Sequence, residues 1–400
     1  MPYPYVVRVT EMNREDLRAL IRSSLRKQGF RLRDNRISLP TQLDKQGLRD
    51  LHREAVRHNV DVACASLRPR EERLLGRIAS GDEITPGLIA PALVEVVPGS
   101  DDELLFRYAK LHWSIPTSSG YGRRLRFIII DKQNGKLMGI LGLGDPVFRL
   151  GDRDAWIGWT GSAQRENLRH VMDAFVLGAV PPYSFLLCGK LIAMLAASNE
   201  VKDAFRRKYG RSWSVIRHEY MDGRLALVTT NSALGRSSIY NRLKYRGRLV
   251  FEHIGFTRGS GEFQFSNGLY STIQLYAARY CEPTAKRESW GTGFRNRREV
   301  IKKCLAKIGL PTEWLYHGIR REIFAVPLAR NSREFLRGEH SKLLWHDMPA
   351  DELFDFFRDR YLLPRSQRDD RFKIWNPAQW AVWCTQTPAG GNNASRPDRS

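Results

Sequence analysis

Acidic residues are the first shortage in this 400-residue chain. Its 43 Asp and Glu stand against 65 Lys and Arg, a formal net charge of +22. An excess of that size argues for a polyanionic partner, nucleic acid ahead of an acidic protein or a membrane surface. Cysteine is scarce as well. The five (Cys64, Cys188, Cys281, Cys304, Cys384) are odd in number, far apart and without a C-x-x-C pair. That excludes a disulfide framework and a zinc ribbon and leaves reduced, mostly buried thiols. No apolar run approaches the roughly 20 residues of a membrane span, and the longest, "FLLCGKLIAMLAAS", carries Lys190. The first residues, "MPYPY", lack the basic and apolar regions of a secretory signal. A cytoplasmic protein without a membrane partner is expected.

The phrases that announce catalysis are missing too. "CGKL" at 188–191 lacks the first glycine and the hydroxyl of a phosphate loop. The glycines of "GILGLG" (Gly139, Gly142, Gly144) fall in a returning strand, not at a strand-to-helix turn, so close backbone packing explains them better than a dinucleotide. Neither G-x-S-x-G nor H-E-x-x-H occurs. His52 and His58, like His340 and His346, are six apart, which puts no two imidazoles on one helix face. Asp145, Asp152 and Asp154 form the densest acidic group near a predicted strand, where nucleases collect Mg²⁺ ligands. Arg149 and Arg153 interleave with them, which favours a turn braced by arginine. No catalytic residue, cofactor or metal is assigned, and enzymatic activity stays open.

What is present is a folded chain: 42% hydrophobic, 10% aromatic, with ten tryptophans. The pattern predicts a helical N-terminal region over 1–99. Asn13 caps a first helix with Leu17, Leu20, Ile21 and Leu25 on one face and Gly29 at its end. Arg14, Arg18, Arg22, Arg26 and Lys27 recur along it, as a solvated face or as one that meets nucleic acid. Further helices are expected over Asp44–His58 and Pro69–Ala79. A central mixed α/β domain follows over 100–280. It opens with a helix from Asp101 to Leu111 and continues as a hairpin, Phe127–Ile130 and Leu137–Leu143, around a type I′ turn at Asn134-Gly135. "DRDAWIGWT" reads as a strand, "AQRENLRHVMDAF" as helical, Leu186–Ala197 as a helix and "LALVTT" as a strand. A helical C-terminal extension spans 281–386, and a polar tail over 387–400 is expected to be disordered. The fold class is therefore α/β of the mixed, α+β kind.

One stretch carries more chemistry than the rest: "TTNSALGRSSIYNRLKYRGRLVFEHIGFTRGSGEFQF", Thr229 to Phe265. Arg236, Arg242, Lys244, Arg246, Arg248 and Arg258 supply phosphate contacts, and Tyr240, Tyr245, Phe251 and Phe256 supply planar faces for unpaired bases. Ser232, Gly235, Ser237 and Ser238 let the backbone approach an anion at the start of a helix through Asn241. The plainer alternative is a hairpin with core aromatics and solvated arginines.

Three phrases carry a resemblance over roughly residues 100 to 265: "RDAWIGW", "QRENL" and "GRSSIYNRL". They resemble the bacterial DruA family, a domain of unknown function best known from the Druantia anti-phage defence system. The resemblance implies antiviral defence alongside other subunits, including a large helicase-like protein. It also implies an acetyltransferase-like order of strands and helices, with "VFEHIGFTRGS" similar to a late acetyltransferase strand. The Q/R-x-x-G-x-G/A turn that holds the acyl-CoA pyrophosphate is replaced here by "VPPYSF". The leading expectation is a nucleic-acid-binding defence subunit. The alternatives are a divergent acetyltransferase-like enzyme acting on nucleic acid or protein, and a pure assembly subunit.

Overall fold

The computed structural model describes residues 12–33, 35–40, 43–117, 122–214, 218–284 and 293–383. Cys384 and the tail from 387 lie outside them. A seven-stranded sheet organises the fold. In chain order its strands are β1 (Pro91–Glu95), β2 (Arg124–Asp131), β3 (Lys136–Gly144), β4 (Val171–Ala179), β5 (Leu227–Asn231), β6 (Glu252–Phe256) and β7 (Glu322–Pro327). Across the sheet the order is β6-β7-β5-β4-β3-β2-β1. All pairs are antiparallel except β4–β5, whose parallel ladder covers only Val171 to Asp173 against Leu227 to Thr229. The helices that matter below are α1 (Arg14–Lys27), α2 (Lys45–Leu67), α3 (Asp101–Lys110), α4 (Gly151–Ile157), α5 (Gly161–Asn167), α6 (Cys188–Leu195), α7 (Asn199–Tyr209), α8 (Leu269–Tyr280), α9 (Arg297–Lys307), α10 (Ser332–Arg337) and α11 (Ala350–Phe357).

Alternation along the strands splits the core in two. Phe127, Ile129, Leu141 and Leu177 face α6, α7 and α11, while Ile128, Ile140 and Val176 face Leu105, Phe106 and Tyr108 of α3. A separate core joins the N-terminal helices to the segment after β6: Leu17, Ile21 and Leu25 of α1 and Leu51 of α2 pack with Phe265, Ile273, Ile301 and Trp314. Near the C-terminal end of the described chain, the buried Glu71 carboxylate accepts from the Tyr108 hydroxyl at 2.8 Å and from the amides of Val382 and Trp383. Trp380 stacks on His112 at 3.9 Å beside it.

The sheet opens at one place for a local reason. Gly142 of β3 opposes Val176 while Leu143 opposes Ala174, which leaves Phe175 as the extra residue of a β-bulge in β4. A bulge bends its strand and increases local twist, and here the parallel ladder to β5 stops two residues earlier, at Asp173. Thr230 takes the Ala174 carbonyl by its side chain instead, at 2.9 Å. The glycines of "GILGLG" lie within β3, where a Cβ at Gly142 would meet Phe175 Cζ at 2.6 Å and one at Gly139 the Gly178 carbonyl oxygen at 2.5 Å. They are packing glycines.

Several local expectations change. Asn13 does cap α1, its Oδ1 accepting from Asp16 N at 2.9 Å, but α2 runs on past His58 to Leu67. The third helix shortens to Glu71–Leu75 after a 3₁₀ turn. The hairpin at 127–143 forms, yet its turn has only Gly135 at positive φ (70°), with the Gly135 amide bonded to the Asp131 carbonyl; a type I′ turn needs two such residues. "DRDAWIGWT" is the helix α4 ended by Gly158 at φ 81°. Its buried stripe is Arg153 and Ile157, four apart, and a buried arginine breaks the pattern that sequence reading relies on. "AQRENLRHVMDAF" is helical only through His170, and "VMDAF" begins β4. Strands β1 and β7 do not figure in the sequence reading at all.

Candidate nucleic-acid interface

The stretch from Thr229 is built outward from β5. Ser232 continues the pairing with β7, its amide donating to the Glu322 carbonyl at 2.9 Å and its hydroxyl accepting from Glu322 N. At Ser237 the chain turns. The Ser237 Oγ accepts from the amides of Ile239 and Tyr240, and the Ser237 amide donates to the Glu322 carboxylate at 2.8 Å. The anticipated helix through Asn241 does not form; the segment is a run of turns. The donor meant for an anion already serves an internal carboxylate. A small hairpin follows, Lys244–Tyr245 paired with Arg248–Leu249. Arg242 and Arg246 adopt φ of 61° and 49°, the left-handed region that favours glycine.

The aromatic residues divide unevenly. Tyr240, Tyr245 and Phe251 are buried, Tyr240 stacked on Phe251 at 4.7 Å, and only Phe256 stands exposed. Three of the four planar faces are therefore core, because burying their rings is what pins this irregular segment to the sheet. The cations point the other way. Arg236, Arg242, Lys244, Arg246 and Arg258 are exposed and Arg248 is half-buried. Arg246 pairs with Glu352 of α11 at 2.7 Å. Arg248 directs Nη2 to Met348 Sδ at 3.0 Å, and burial lowers its pKa against the opposing pull of Glu252. Among the described residues no carboxylate pairs with Arg236, Arg242, Lys244 or Arg258.

These six do not form one cluster. Arg242, Lys244, Arg246 and Arg248 share the hairpin and its approach, whereas Arg258 lies beyond the far end of β6, with its guanidinium near Gly151 of α4. Five strand residues separate the two groups, about 16 Å at ~3.3 Å per residue. Gly235, next to Arg236, sits against Leu48 of α2.

The other sequence candidates prove structural. Asp145 accepts from Arg123 at 2.7 Å, Asp152 from the Phe256 amide at 2.7 Å, and Asp154 from Arg153, Leu150 N and Gln164. His52 is buried, with Nδ1 donating to the Leu48 carbonyl at 2.7 Å and Nε2 accepting from Arg321 Nη2 at 2.9 Å. Burial, reinforced by the Arg321 charge, brings its pKa down to about 4. A ring held neutral with both nitrogens engaged has no lone pair to offer a metal.

One recess was invisible in the sequence because strands far apart in the chain build it. Where β4 and β5 part, a cleft of about 170 Å³ opens between Asp173, Phe175, Asn231, Arg124 and the Val147–Leu150 loop. Its floor is the Asp173–Thr229 pair, the threonine hydroxyl donating to Asp173 Oδ1 at 2.9 Å. Burial pushes the Asp173 carboxyl up to about 6.

Fold and surface together define a basic, mixed α/β protein with a partly opened sheet and a cationic turn-and-hairpin on one edge. Residues 42–338 match the family model described as Druantia protein DruA. The chain is also 36% identical over 373 residues to the Druantia protein DruA of Escherichia coli (strain UMEA 4076-1), covering 93% of this chain and 92% of that one. No solved structure matches. The chain belongs to the DruA family and is a component of an anti-phage defence system. No helix among the described residues is long and apolar enough to cross a membrane.

Proposed function

We propose that this chain is a nucleic-acid-binding subunit of its defence system, working in the cytoplasm with other subunits of the system, a helicase-like protein among them. The observation that carries the reading is the separation within the 229–265 stretch. Three of its four candidate rings turn inward and the exposed Phe256 has the Arg320 guanidinium over its face, 4.9 Å from its centroid, while Arg236, Arg242, Lys244 and Arg258 stand in solvent without acidic partners among the described residues. Such a surface contacts phosphates and not base faces, so it holds strands of any sequence with strongly salt-dependent affinity. Fluorescence anisotropy with single- and double-stranded oligonucleotides at low salt tests it. Binding is expected, and the triple variant Arg236→Ala, Arg242→Ala, Lys244→Ala is expected to weaken it at least 10-fold without lowering Tm. Absence of binding to either form at low salt overturns the reading.

An acetyltransferase-like enzyme is the second reading, favoured by the order β6-β7-β5-β4-β3-β2-β1 with a single parallel pair that parts after Asp173. A thermal shift with acetyl-CoA tests it, since a ligand of the folded state raises Tm. No shift removes it.

A further inference from the structure

From the cleft between the parting strands β4 and β5 we infer a seat for one unstacked pyrimidine base bearing an amino group, cytosine in a single strand. The inference rests on the nucleic-acid reading and adds a base contact to a surface that otherwise touches only phosphates.

Size comes first. A dry cavity of about 150 Å³ accommodates benzene, so a cleft of about 170 Å³ suits one six-membered ring and is tight for a purine. Shape comes next. The Arg124 guanidinium lies over the Phe175 ring, 4.9 Å from its centroid, and makes no hydrogen bond among the described residues. Unpaired bases stack on aromatic rings and on guanidinium planes, and this pair forms one flat, cationic wall. Gly144, whose added Cβ would come within 3.3 Å of Phe175 Cδ1, keeps the ring in place.

Hydrogen-bonding chemistry then selects the base. Asn231 Oδ1 is buried without a hydrogen-bond partner among the described residues, an acceptor that calls for a donor. Asp173, on the neighbouring strand, spends Oδ1 on Thr229 and keeps a second carboxyl oxygen. Two acceptors on adjacent strands fit an exocyclic amine, as acidic side chains do for cytosine N4. Uracil or thymine presents a carbonyl oxygen at that position and is disfavoured. Arg124 itself offers a cation for the attached phosphate, and Arg107 and Arg126 stand near enough to join it in lowering the pKa of half-buried Lys110, after burial. Among the described residues only Arg126 of these arginines is matched by a hydrogen-bonded carboxylate, Glu103 at 2.7 Å. A base reaches such a recess only when free of the stack.

The test compares oligo-dC with oligo-dT of equal length by anisotropy, and titrates cytidine monophosphate into the free protein by calorimetry. Wild type is expected to hold oligo-dC about 10-fold more tightly than oligo-dT, the scale of one good base contact. Asn231→Leu is expected to erase that preference, whereas the triple variant of the basic stretch weakens both oligonucleotides equally and keeps it. Val147 is 63% exposed on the cleft's rim, so Val147→Trp fills the cleft from outside and gives the same result should Asn231→Leu fail to fold. Equal binding of both oligonucleotides by wild type overturns the inference and leaves the nucleic-acid reading standing. With no oligonucleotide binding at all, cytidine monophosphate decides: heat abolished by Asn231→Leu keeps the seat, and no heat overturns it.

Discussion

Arg153 is fully buried and braces the loop beside the cleft. Its guanidinium holds the Val147 carbonyl at 2.9 Å, the Phe148 carbonyl at 3.0 Å and Asp154 Oδ1 at 2.6 Å. Arg153→Met strands those acceptors and the carboxylate, and is expected to cost about 3–5 kcal/mol in urea unfolding. The titrating groups push in opposite directions. Buried His52 has a folded pKa of about 4 against 6.5, so the unfolded chain binds more protons and stability falls as pH drops from 6.5 to 4. The difference between the two values corresponds to about 3 kcal/mol. Asp173 has a folded value of about 6 against 3.8; its burial penalty is absent below pH 3.8 and complete above pH 6. Asp173→Asn is therefore expected to raise Tm at pH 7.5 and to do little at pH 4, read by calorimetry at both. A gain at pH 4 alone contradicts the assignment.

At the scale of elements, the bulge in β4 decides where the sheet opens. Gly142→Ala drives a methyl to 2.6 Å from Phe175 Cζ and is expected to destabilise by about 1–3 kcal/mol, the range for overpacking a core. Native-state hydrogen exchange is expected to place the faster opening at the Phe175 segment. Much of the element pattern was legible from residues alone. The apolar stripe and Asn13 cap of α1, the β2–β3 hairpin and the helix α6 follow local periodicity, and α9, α10 and α11 fall in the extension expected to be helical. The failures share a cause. β4 looked like the end of a helix because "VMDAF" follows one directly, without a breaker. α4 looked like a strand because Arg153 is buried where a charge is normally exposed. β7, only six residues long, finds its place by pairing with β5 and β6, a long-range relation that local pattern does not encode. The basic stretch was legible as basic, but which rings turned inward was set by α11 and β7, which pack over it. The cleft draws on residues from 124 to 231, so no contiguous motif announces it.

At the scale of the whole molecule, the charge of +22 is distributed and not gathered into one site. α1 exposes Arg14, Arg22, Arg26 and Lys27, and the turn-and-hairpin exposes its own set at the sheet edge. The N-terminal helices share one core with residues 263–319, so the N-terminal basic helix is held against the segment that follows β6. Dispersed cations of this kind bind through counterion release, each phosphate contact contributing about −0.9 to the slope of log K against log salt on duplex DNA. The measurement that bears most directly on the account is that slope, taken by fluorescence anisotropy between about 50 and 200 mM salt for wild type and for Arg236→Ala, Arg242→Ala, Lys244→Ala. Wild type is expected to give a steep slope that becomes shallower by about 2–3 in the triple variant, one contact per cation removed. An unchanged slope, or a wild-type affinity indifferent to salt, contradicts it.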